Sequence, residues 1–305
     1  MPVVVVGPLA FDDVRTPAEE RRGLLGGSGA YASLAAAKLA PTALVSVAGD
    51  DLTEADLAPL TAAGVDLSGL ERRSGRTLRW SGRYGADLVR GEVRNTDLGV
   101  VRGWRPRVPR AWADAPYVLA ANTDPAAQAA ALEQLRPAVA VLDTMDEWIA
   151  GHRRALDDVI AAVGVVSVNE RELMMLTGAK GAAALRAQGP RAVIVKRGAS
   201  GAVLSTADGS VHLPAYPARV VDPTGGGDAL AGAFTARLAA LGRADGAAFR
   251  DALAQGMAAA SFAVEAFSVS ALALATKDEI EARARWIAAR ARPGTGPAAP
   301  LYEER

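Results

Sequence analysis

The stretch VVDPTGGGDALAGAF, residues 220–234, places three consecutive glycines and one aspartate directly ahead of an alanine-rich run with helical spacing. The first N–H groups of a helix have no partner within the helix, and they lie at the positive end of its dipole. Because Gly225, Gly226 and Gly227 carry no side chains, an anion can approach these groups closely. The stretch therefore predicts a helix N-terminus that binds a phosphate-like anion.

Asp228 follows the glycines and falls in the first turn of the predicted helix, where the dipole is expected to keep its carboxylate ionised. A carboxylate at this place can accept the proton of an alcohol that attacks a phosphate, while the N–H groups stabilise the charge. The alternative is an aspartate that only caps a helix behind a flexible loop. The chain lacks a GxxxxGK[ST] loop, and no GxGxxG follows its first strand, which disfavours a dinucleotide-dependent oxidoreductase.

The composition is that of a globular protein with balanced charge. Of the 305 residues, 50% are hydrophobic and 22% are charged, with 34 basic and 34 acidic side chains. This balance gives no reason to expect nucleic acid or a membrane as a partner. With no cysteine and two histidines, disulfides and thiolate chemistry are excluded and a histidine metal cluster is disfavoured. The N-terminus lacks signal-peptide features, so the cytoplasm is the expected location.

Short apolar runs alternate along the chain with segments of helical spacing. Such alternation predicts a mostly parallel sheet that is covered by helices on both faces. The predicted strands are residues 3–6, 43–47, 117–121, 138–142, 163–168 and 192–195. The predicted helices are residues 31–39, 52–63, 126–135, 153–163 and 170–176.

Residues 76–101 break this rhythm, because polar and apolar residues alternate there around Gly85 and Asp87. The pattern predicts short antiparallel strands with one face in water. Such an insertion is either a flap over a site or a separate sheet that forms a dimer. Its arginines also allow a nucleic-acid surface, which the neutral overall charge disfavours.

Several motifs resemble those of one enzyme family. The stretch DPTGGGDALAGAF resembles the C-terminal signature of the ribokinase-like, PfkB-type carbohydrate and nucleoside kinases, D-T-x-G-A-G-D followed by a helix. Gly26 and Gly27 in LGGSGAYASLAA resemble the family's double-glycine motif, and VNEREL, with Asn169 and Glu172, matches its N-x-x-E motif. The segment VIVKRGASGAVL resembles the strand and turn that follow it. The motifs keep the family's order and spacing from Val3 to about Arg290.

The resemblance implies a three-layer αβα fold, with a central mostly parallel sheet and a small β-sheet lid. The kinase domain would span residues 1–292, with the lid mainly within 76–103 and residues 9–25 as a further candidate part. The Pro- and Gly-rich tail, 293–305, would lie outside it. The implied reaction is ATP-dependent transfer of the γ-phosphate to a primary hydroxyl of a sugar or nucleoside, with Mg²⁺. The family also allows a monovalent cation and a homodimer formed through the lid.

The resemblance assigns roles to residues at matching positions. Asp228 would be the base, and the N–H groups from Gly225 to Asp228 would bind the transferred phosphate. The residues implied in acceptor binding are Asp12, Gly26 and Gly27. The residues implied in nucleotide binding are Asn169, Gly198, Gly201 and Thr224. The residues implied in ordering Mg²⁺ and its water are Asn169 and Glu172.

Asp143 and Lys196 each follow a predicted strand, at the edge where open parallel sheets bind ligands. Asp143 either faces the nucleotide and Mg²⁺, through water, or caps the next helix. Lys196 either contacts a phosphate or ends in solvent. We include Asp143 in the candidate metal site and Lys196 in the candidate nucleotide site.

Tyr31 is the main departure from the family's pattern, which has an asparagine in contact with the sugar at this position. An aromatic ring offers a stacking face and one hydroxyl in place of an amide, so Tyr31 either binds the acceptor differently or packs in its helix. Gly226, where alanine is usual, and Pro223, where threonine is common, are smaller departures. The alternative function is a non-catalytic sugar- or nucleoside-binding regulatory protein that retains the fold.

Overall fold

The computed structural model describes residues 1–88 and 91–294. Within these residues the strands and helices alternate as the sequence predicts. The strands are β1 (Val3–Val6), β2 (Ala10–Arg15), β3 (Glu20–Gly26), β4 (Thr42–Ala48), β5 (Asp66–Arg72), β6 (Leu78–Tyr84), β7 (Gly91–Asp97), β8 (Tyr117–Ala120), β9 (Val139–Asp143), β10 (Val165–Asn169), β11 (Ala192–Lys196), β12 (Ala202–Thr206), β13 (Gly209–Leu213) and β14 (Arg292–Pro293). The helices are α1 (Ser28–Ala37), α2 (Glu54–Ala62), α3 (Pro125–Leu135), α4 (Asp146–Gly151), α5 (Arg153–Ala162), α6 (Glu170–Thr177), α7 (Gly181–Arg186), α8 (Gly226–Leu241), α9 (Gly246–Ala263), α10 (Ser270–Leu274) and α11 (Lys277–Ala288).

The central sheet has ten strands among the described residues, in the spatial order β14-β13-β12-β11-β10-β9-β8-β1-β4-β5. The strands from β11 to β5 pair in parallel, and β12, β13 and β14 add an antiparallel edge. The predicted mostly parallel sheet is therefore confirmed. Parallel strands end at a common edge of a sheet, and ligands bind in the crevice at that edge.

Helices cover both faces of the sheet. Successive side chains of a buried strand point to opposite faces, so each strand contributes to a core on either side. In β1, Val3 and Val5 belong to the core that includes Phe234 of α8, whereas Val4 and Val6 belong to a core on the other face. On that other face, a third core includes Leu156 of α5. The three-layer arrangement is the predicted one.

The lid is a separate four-stranded sheet, in the order β3-β2-β6-β7. Strands β6 and β7 pair antiparallel, as the alternating pattern of residues 76–101 predicts. Strand β2 pairs in parallel with β6 and antiparallel with β3. The N-terminal strands β2 and β3 thus carry Asp12 and Gly26 into the lid, and they join it to the central sheet beside the crevice.

The C-terminal end of the described chain lies against the antiparallel edge, where β14 pairs with Val211 and His212 of β13. Most of the predicted tail, residues 295–305, lies outside the described residues. No helix within residues 1–88 and 91–294 has the length and the apolar character needed to cross a membrane.

Candidate active site

Helix α8 begins at the glycine loop, and its N-terminus is open. Gly225 is its N-cap in a left-handed conformation, with φ 75°, and no side chain among the described residues caps the helix there. The N–H of Gly226 reaches the carbonyl of Pro223 at 3.4 Å. The N–H groups of Gly225 and Gly227 have no acceptor within residues 1–88 and 91–294. The loop therefore presents free donors at the positive end of a 16-residue helix.

Gly225 is required by the packing beneath the loop as well as by its φ. A Cβ at this position would overlap the ring of Tyr31. Tyr31 is 2% exposed and belongs to the core on this face of the sheet. Burial and the nearby carboxylate of Asp12 raise the pKa of Tyr31, so its hydroxyl stays protonated. Gly225 therefore packs directly against the ring of Tyr31, and the ring supports the loop from below.

Asp228 lies in the first turn of α8 and is half-buried. Burial and the carboxylate of Asp143 raise its pKa to about 7, against the opposing effects of Lys196 and of the Asp228 backbone N–H. The helix dipole alone predicts a lowered pKa, because it favours the ionised form of the carboxyl. Desolvation outweighs it, and the carboxyl titrates near neutral pH, where a general base is most effective.

Lys196 lies at the end of β11, beside the glycine loop. Its Nζ donates a hydrogen bond of 2.6 Å to Oδ1 of Asp143, and the same atom lies 3.2 Å from where a Cβ of Gly227 would be. Burial opposes the charged form of Lys196, but Asp143 and Glu172 outweigh it and raise the pKa of the ammonium group. A fixed positive charge therefore lies next to the open N–H groups.

Asn169 and Glu172 form the capping box of α6. The side chain of Asn169 accepts from the Glu172 N–H at 2.8 Å, and Glu172 accepts from the Asn169 N–H at 2.7 Å and from its amide at 2.6 Å. Burial and the carboxylate of Asp143 raise the pKa of Glu172 to about 7, while Lys196 lowers it. Both residues lie at the crevice edge of the sheet, close to Asp143.

The oxygen donors of Asn169, Glu172 and Asp143 suit a hard cation such as Mg²⁺. No group of three or more His, Asp or Glu side chains among the described residues is arranged to hold a metal ion by itself. Mg²⁺ commonly keeps several waters and shares its ligands with substrate phosphates. The residues present therefore fit a cation that is bound through water and phosphate oxygens rather than in a protein cage.

Asp12 of β2 is buried against the double glycine. A Cβ at Gly26 would overlap the Asp12 carboxylate, so only glycine leaves room for it. Burial and the carboxylates of Asp222 and Asp228 raise the pKa of Asp12 to about 8, while the Gly27 backbone N–H lowers it. At neutral pH the carboxyl can both donate and accept hydrogen bonds, as recognition of a hydroxyl group requires.

Two residues without a predicted role also belong to the site. Tyr84 of the lid forms a hydrogen bond of 3.0 Å through its hydroxyl to the Thr224 hydroxyl. Asp222 is 0% exposed and accepts from the Thr224 N–H at 2.9 Å, but its Oδ2 makes no hydrogen bond of normal geometry in the described part of the chain. Asp222 is the first residue of the motif DPTGGGDALAGAF, so its place in the sequence could have identified it as a site residue. Nothing local marks Tyr84, which is 140 residues from Thr224.

Gly198 and Gly201 shape the turn between β11 and β12, with φ values of 53° and 89°. A Cβ at Gly201 would overlap the carbonyl of Leu213. The end of α9 lies on the other side of the loop, where the Val264 carbonyl accepts from the N–H groups of Val221 and Asp222 at 2.8 and 3.2 Å. A cavity of about 440 Å³ belongs to the lid, where Arg15 and other charged residues line it, and not to this loop.

Comparison with known proteins shows that the chain is similar to sugar and nucleoside kinases. Residues 114–276 match the model of the pfkB family carbohydrate kinases. The chain is 32% identical over 249 residues to a cytidine kinase of Thermococcus kodakarensis, which covers 77% of this chain and 87% of the relative. Among solved structures, the Methanocaldococcus jannaschii nucleoside kinase has a TM-score of 0.77 at 20% identity, covering 94% and 99% of the two chains. Arabidopsis thaliana ribokinase, solved with ribose and ATP, has a TM-score of 0.74 at 22% identity, covering 93% and 98%.

Proposed function

Since the chain belongs to the pfkB family of carbohydrate kinases, its reaction is phosphoryl transfer to an alcohol, and we propose the following roles for its residues. The γ-phosphate of ATP is transferred to a primary hydroxyl of a sugar or nucleoside. The observation that carries this proposal is the open N-terminus of α8, which has a carboxyl group in its first turn and the Lys196 ammonium beside it. The ribokinase relative solved with ATP supports the choice of donor.

Asp228 is the general base. As the acceptor oxygen forms its bond to the γ-phosphorus, the hydroxyl proton passes to the Asp228 carboxylate, and the bond from phosphorus to the bridging oxygen of ADP breaks. The free N–H groups of Gly225 and Gly227, together with Lys196, stabilise the charge on the phosphoryl oxygens. The nucleotide would extend from this loop toward Thr224 and the turn at Gly198 and Gly201.

The acceptor binds on the lid side of the loop. Asp12, held against Gly26 and Gly27, accepts and donates hydrogen bonds with the hydroxyls of the acceptor. Tyr84 contacts Thr224 from the lid, so the lid and the loop enclose the reacting groups together. Excluding water in this way protects the phosphoryl group from hydrolysis.

Mg²⁺ would be held through water by Glu172, Asn169 and Asp143, whose oxygen donors fit it. When bound, the ion neutralises charge on the ATP phosphates and helps to orient them. The capping box keeps the Glu172 carboxylate fixed in place, and Lys196 fixes Asp143. These residues therefore position the ligands of the cation in advance.

A monovalent cation is proposed at Asp222. Its Oδ2 is buried and makes no hydrogen bond of normal geometry among the described residues, although the backbone N–H of Ser268 lies near enough to lower the pKa of the carboxyl. A buried carboxylate oxygen that is not fully hydrogen-bonded is costly unless a cation meets it. The test is activity in K⁺ against activity in tetramethylammonium at equal ionic strength. A rate that is the same in both salts, in the protein and in Asp222→Asn, would remove this part of the proposal.

We further propose that two copies of the chain associate through their lids, where the edge strands β3 and β7 leave backbone groups open for pairing. Light scattering coupled to size exclusion gives the mass in solution. Substitution of exposed Val93 on β7 by Lys is expected to shift a dimer toward monomer. A monomeric mass for the unaltered protein would contradict the proposal.

The kinase function is tested by measuring ADP release with ATP and Mg²⁺ over a panel of sugars and nucleosides, with Asp228→Asn as the control. We expect at least one acceptor to give turnover that is lost in the variant, and mass spectrometry to locate the phosphate on the primary hydroxyl. Binding of an acceptor without turnover by the unaltered protein would point instead to a regulatory sugar- or nucleoside-binding protein.

A further inference from the structure

The wall of the lid that faces the crevice is built from alternate residues of β2 and β6. Asp12 of β2 pairs with Trp80 of β6 in a parallel register, and paired residues place their side chains on the same face of a sheet. Tyr84, four residues further along β6, shares that face and reaches Thr224 of the glycine loop. Trp80 therefore lies on the crevice side of the lid, between the acceptor carboxyl and the loop.

Gly82 allows the indole ring of Trp80 to lie flat on this wall. It is the residue between Trp80 and Tyr84 on the same face, and a Cβ there would overlap the six-membered part of the indole, with Cζ2 at 2.6 Å and Cζ3 at 2.8 Å. Gly82 itself is buried, whereas Trp80 is only half-buried. The six-membered part of the indole thus rests on the strand at Gly82, and the ring keeps part of its surface exposed.

The order of groups along this wall decides which part of an acceptor meets the indole. The primary hydroxyl must reach Asp228 in the first turn of α8, and the other hydroxyls of the sugar meet Asp12. A substituent on the sugar then extends along the lid toward Trp80. A broad apolar ring is a poor partner for the hydroxyls of a free sugar, but it matches the planar face of a nucleobase, because every base has a π-face.

Given the proposed kinase function, on which this inference rests, we propose that the acceptor is a nucleoside and that Trp80 determines this specificity by stacking on its base. The ring supplies a flat contact that all bases share. Discrimination among bases then falls to other groups of the crevice. Tyr31 does not provide this contact, because its ring is buried beneath Gly225.

Substitution of Trp80 tests the proposal through the split between KM and kcat. Trp80→Ala is expected to raise KM for nucleosides about tenfold to a hundredfold, as expected for the loss of one stacked base. The value of kcat and the KM for free ribose should change by less than about twofold. Trp80→Phe keeps an aromatic face and should restore most of the affinity. Arg83→Ala alters an exposed residue on the opposite face of the same strand and serves as the matched control.

A second variant displaces the ring without removing it. Gly82→Ala introduces a Cβ where the indole lies, so it should raise KM for nucleosides in the same direction as Trp80→Ala. Circular dichroism and thermal melting show whether each variant is folded. The chain has five tryptophans, so quenching of the emission by a nucleoside in the absence of ATP, and its loss in Trp80→Phe, assigns the contact to Trp80 directly.

The outcomes separate this inference from the kinase proposal. If the unaltered protein phosphorylates no sugar and no nucleoside, the kinase proposal fails. If it prefers free ribose to every nucleoside, the kinase stands and the role of Trp80 is overturned. An equal rise of KM for ribose and nucleosides in Trp80→Ala, or a fall in kcat alone, would also overturn it, because the ring would then only support the lid.

Discussion

Two helix N-termini border the same crevice, and they are built in opposite ways. Helix α6 begins with a closed capping box, in which Asn169 and Glu172 satisfy each other's backbone N–H groups. Helix α8 begins at Gly225, and no side chain among the described residues caps it. At these two termini, side chains satisfy the N–H groups of α6, whereas the first N–H groups of α8 are left open for a ligand. Lys196, at the neighbouring strand end, contributes a positive charge at the open terminus.

The largest effect is expected at the open terminus from Asp228→Asn, which keeps the shape of the side chain but removes the base. Loss of general-base catalysis is expected to lower kcat about a hundredfold to ten-thousandfold, with little change in KM for the acceptor. Steady-state ADP release measures both parameters. A variant that retains more than a tenth of the activity would show that the carboxyl of Asp228 is not the base.

Asp228→Asn is also expected to change how the stability of the protein depends on pH. The pKa of Asp228 is raised from 3.8 to about 7 in the folded protein, so the folded state binds the proton more tightly than the unfolded chain does. Stability is therefore lost as pH rises from 3.8 toward 7. The neutral asparagine avoids this loss, and the melting temperature of Asp228→Asn should exceed that of the unaltered protein at pH 8. The difference should shrink at pH 5.

Gly225→Ala tests the open terminus through its backbone and packing, whereas Asp228→Asn tests its carboxyl group. An alanine at φ 75° costs about 1–2 kcal/mol, and its Cβ would also overlap the ring of Tyr31. Because the loop must move, we expect kcat to fall about a hundredfold, as expected for catalytic groups displaced by about 1 Å.

Gly242 at the C-terminal end of the same helix provides the matched control. It is also left-handed, with φ 65°, and a Cβ there would meet nothing within 4 Å. Gly242→Ala should lose about the same 1–2 kcal/mol of stability, which is the cost of any alanine in the left-handed region, and should keep full activity. Equal losses of activity in the two variants would mean that the loop acts only through global stability.

The pH dependence of the reaction follows from the raised pKa of the base. Only the ionised Asp228 carboxylate accepts a proton, so kcat/KM should rise with pH up to about 7. It should fall again above about pH 8, where Asp12 loses the proton that it donates to the acceptor. Between pH 8 and pH 6 the rate is expected to fall about tenfold, on the usual dependence for one titrating base. Measurements from pH 5.5 to 9 at saturating Mg²⁺ provide the profile. A rate that is constant down to pH 5.5 would contradict the raised pKa.

Two features of the fold were predictable because they depend on residues that are adjacent in the sequence. The glycine run marks the N-terminus of α8, and short apolar runs mark the parallel strands, since fully buried strands lack polar alternation. The lid strand β3 has no such signal, because Glu20, Arg21, Arg22 and Gly23 are all exposed at the edge of the small sheet. Only its pairing with β2 makes this segment a strand.

The electrostatics of the site could not be read from the sequence, because they depend on residues that are distant in the chain. The dipole of its own helix favours the ionised form of Asp228, whereas burial and Asp143, 85 residues earlier, set the direction of its pKa shift. The contact between Tyr84 and Thr224 is equally remote. The glycine motif marks the loop in the sequence, but the charges around the loop come together only in the folded chain.

The closed terminus provides the prediction with the smallest expected effect. Asn169→Ala removes the side-chain cap of α6, and Thr276→Ala removes the equivalent cap of α11, which also begins with a capping box. Each should lose about 1 kcal/mol of stability, measured by urea unfolding. Only Asn169→Ala should raise the Mg²⁺ concentration needed for half-maximal activity, on the order of tenfold, because it releases the Glu172 carboxylate. If both variants shift the Mg²⁺ requirement equally, the capping box at α6 serves the fold alone, and the contrast between the two helix termini loses its functional meaning.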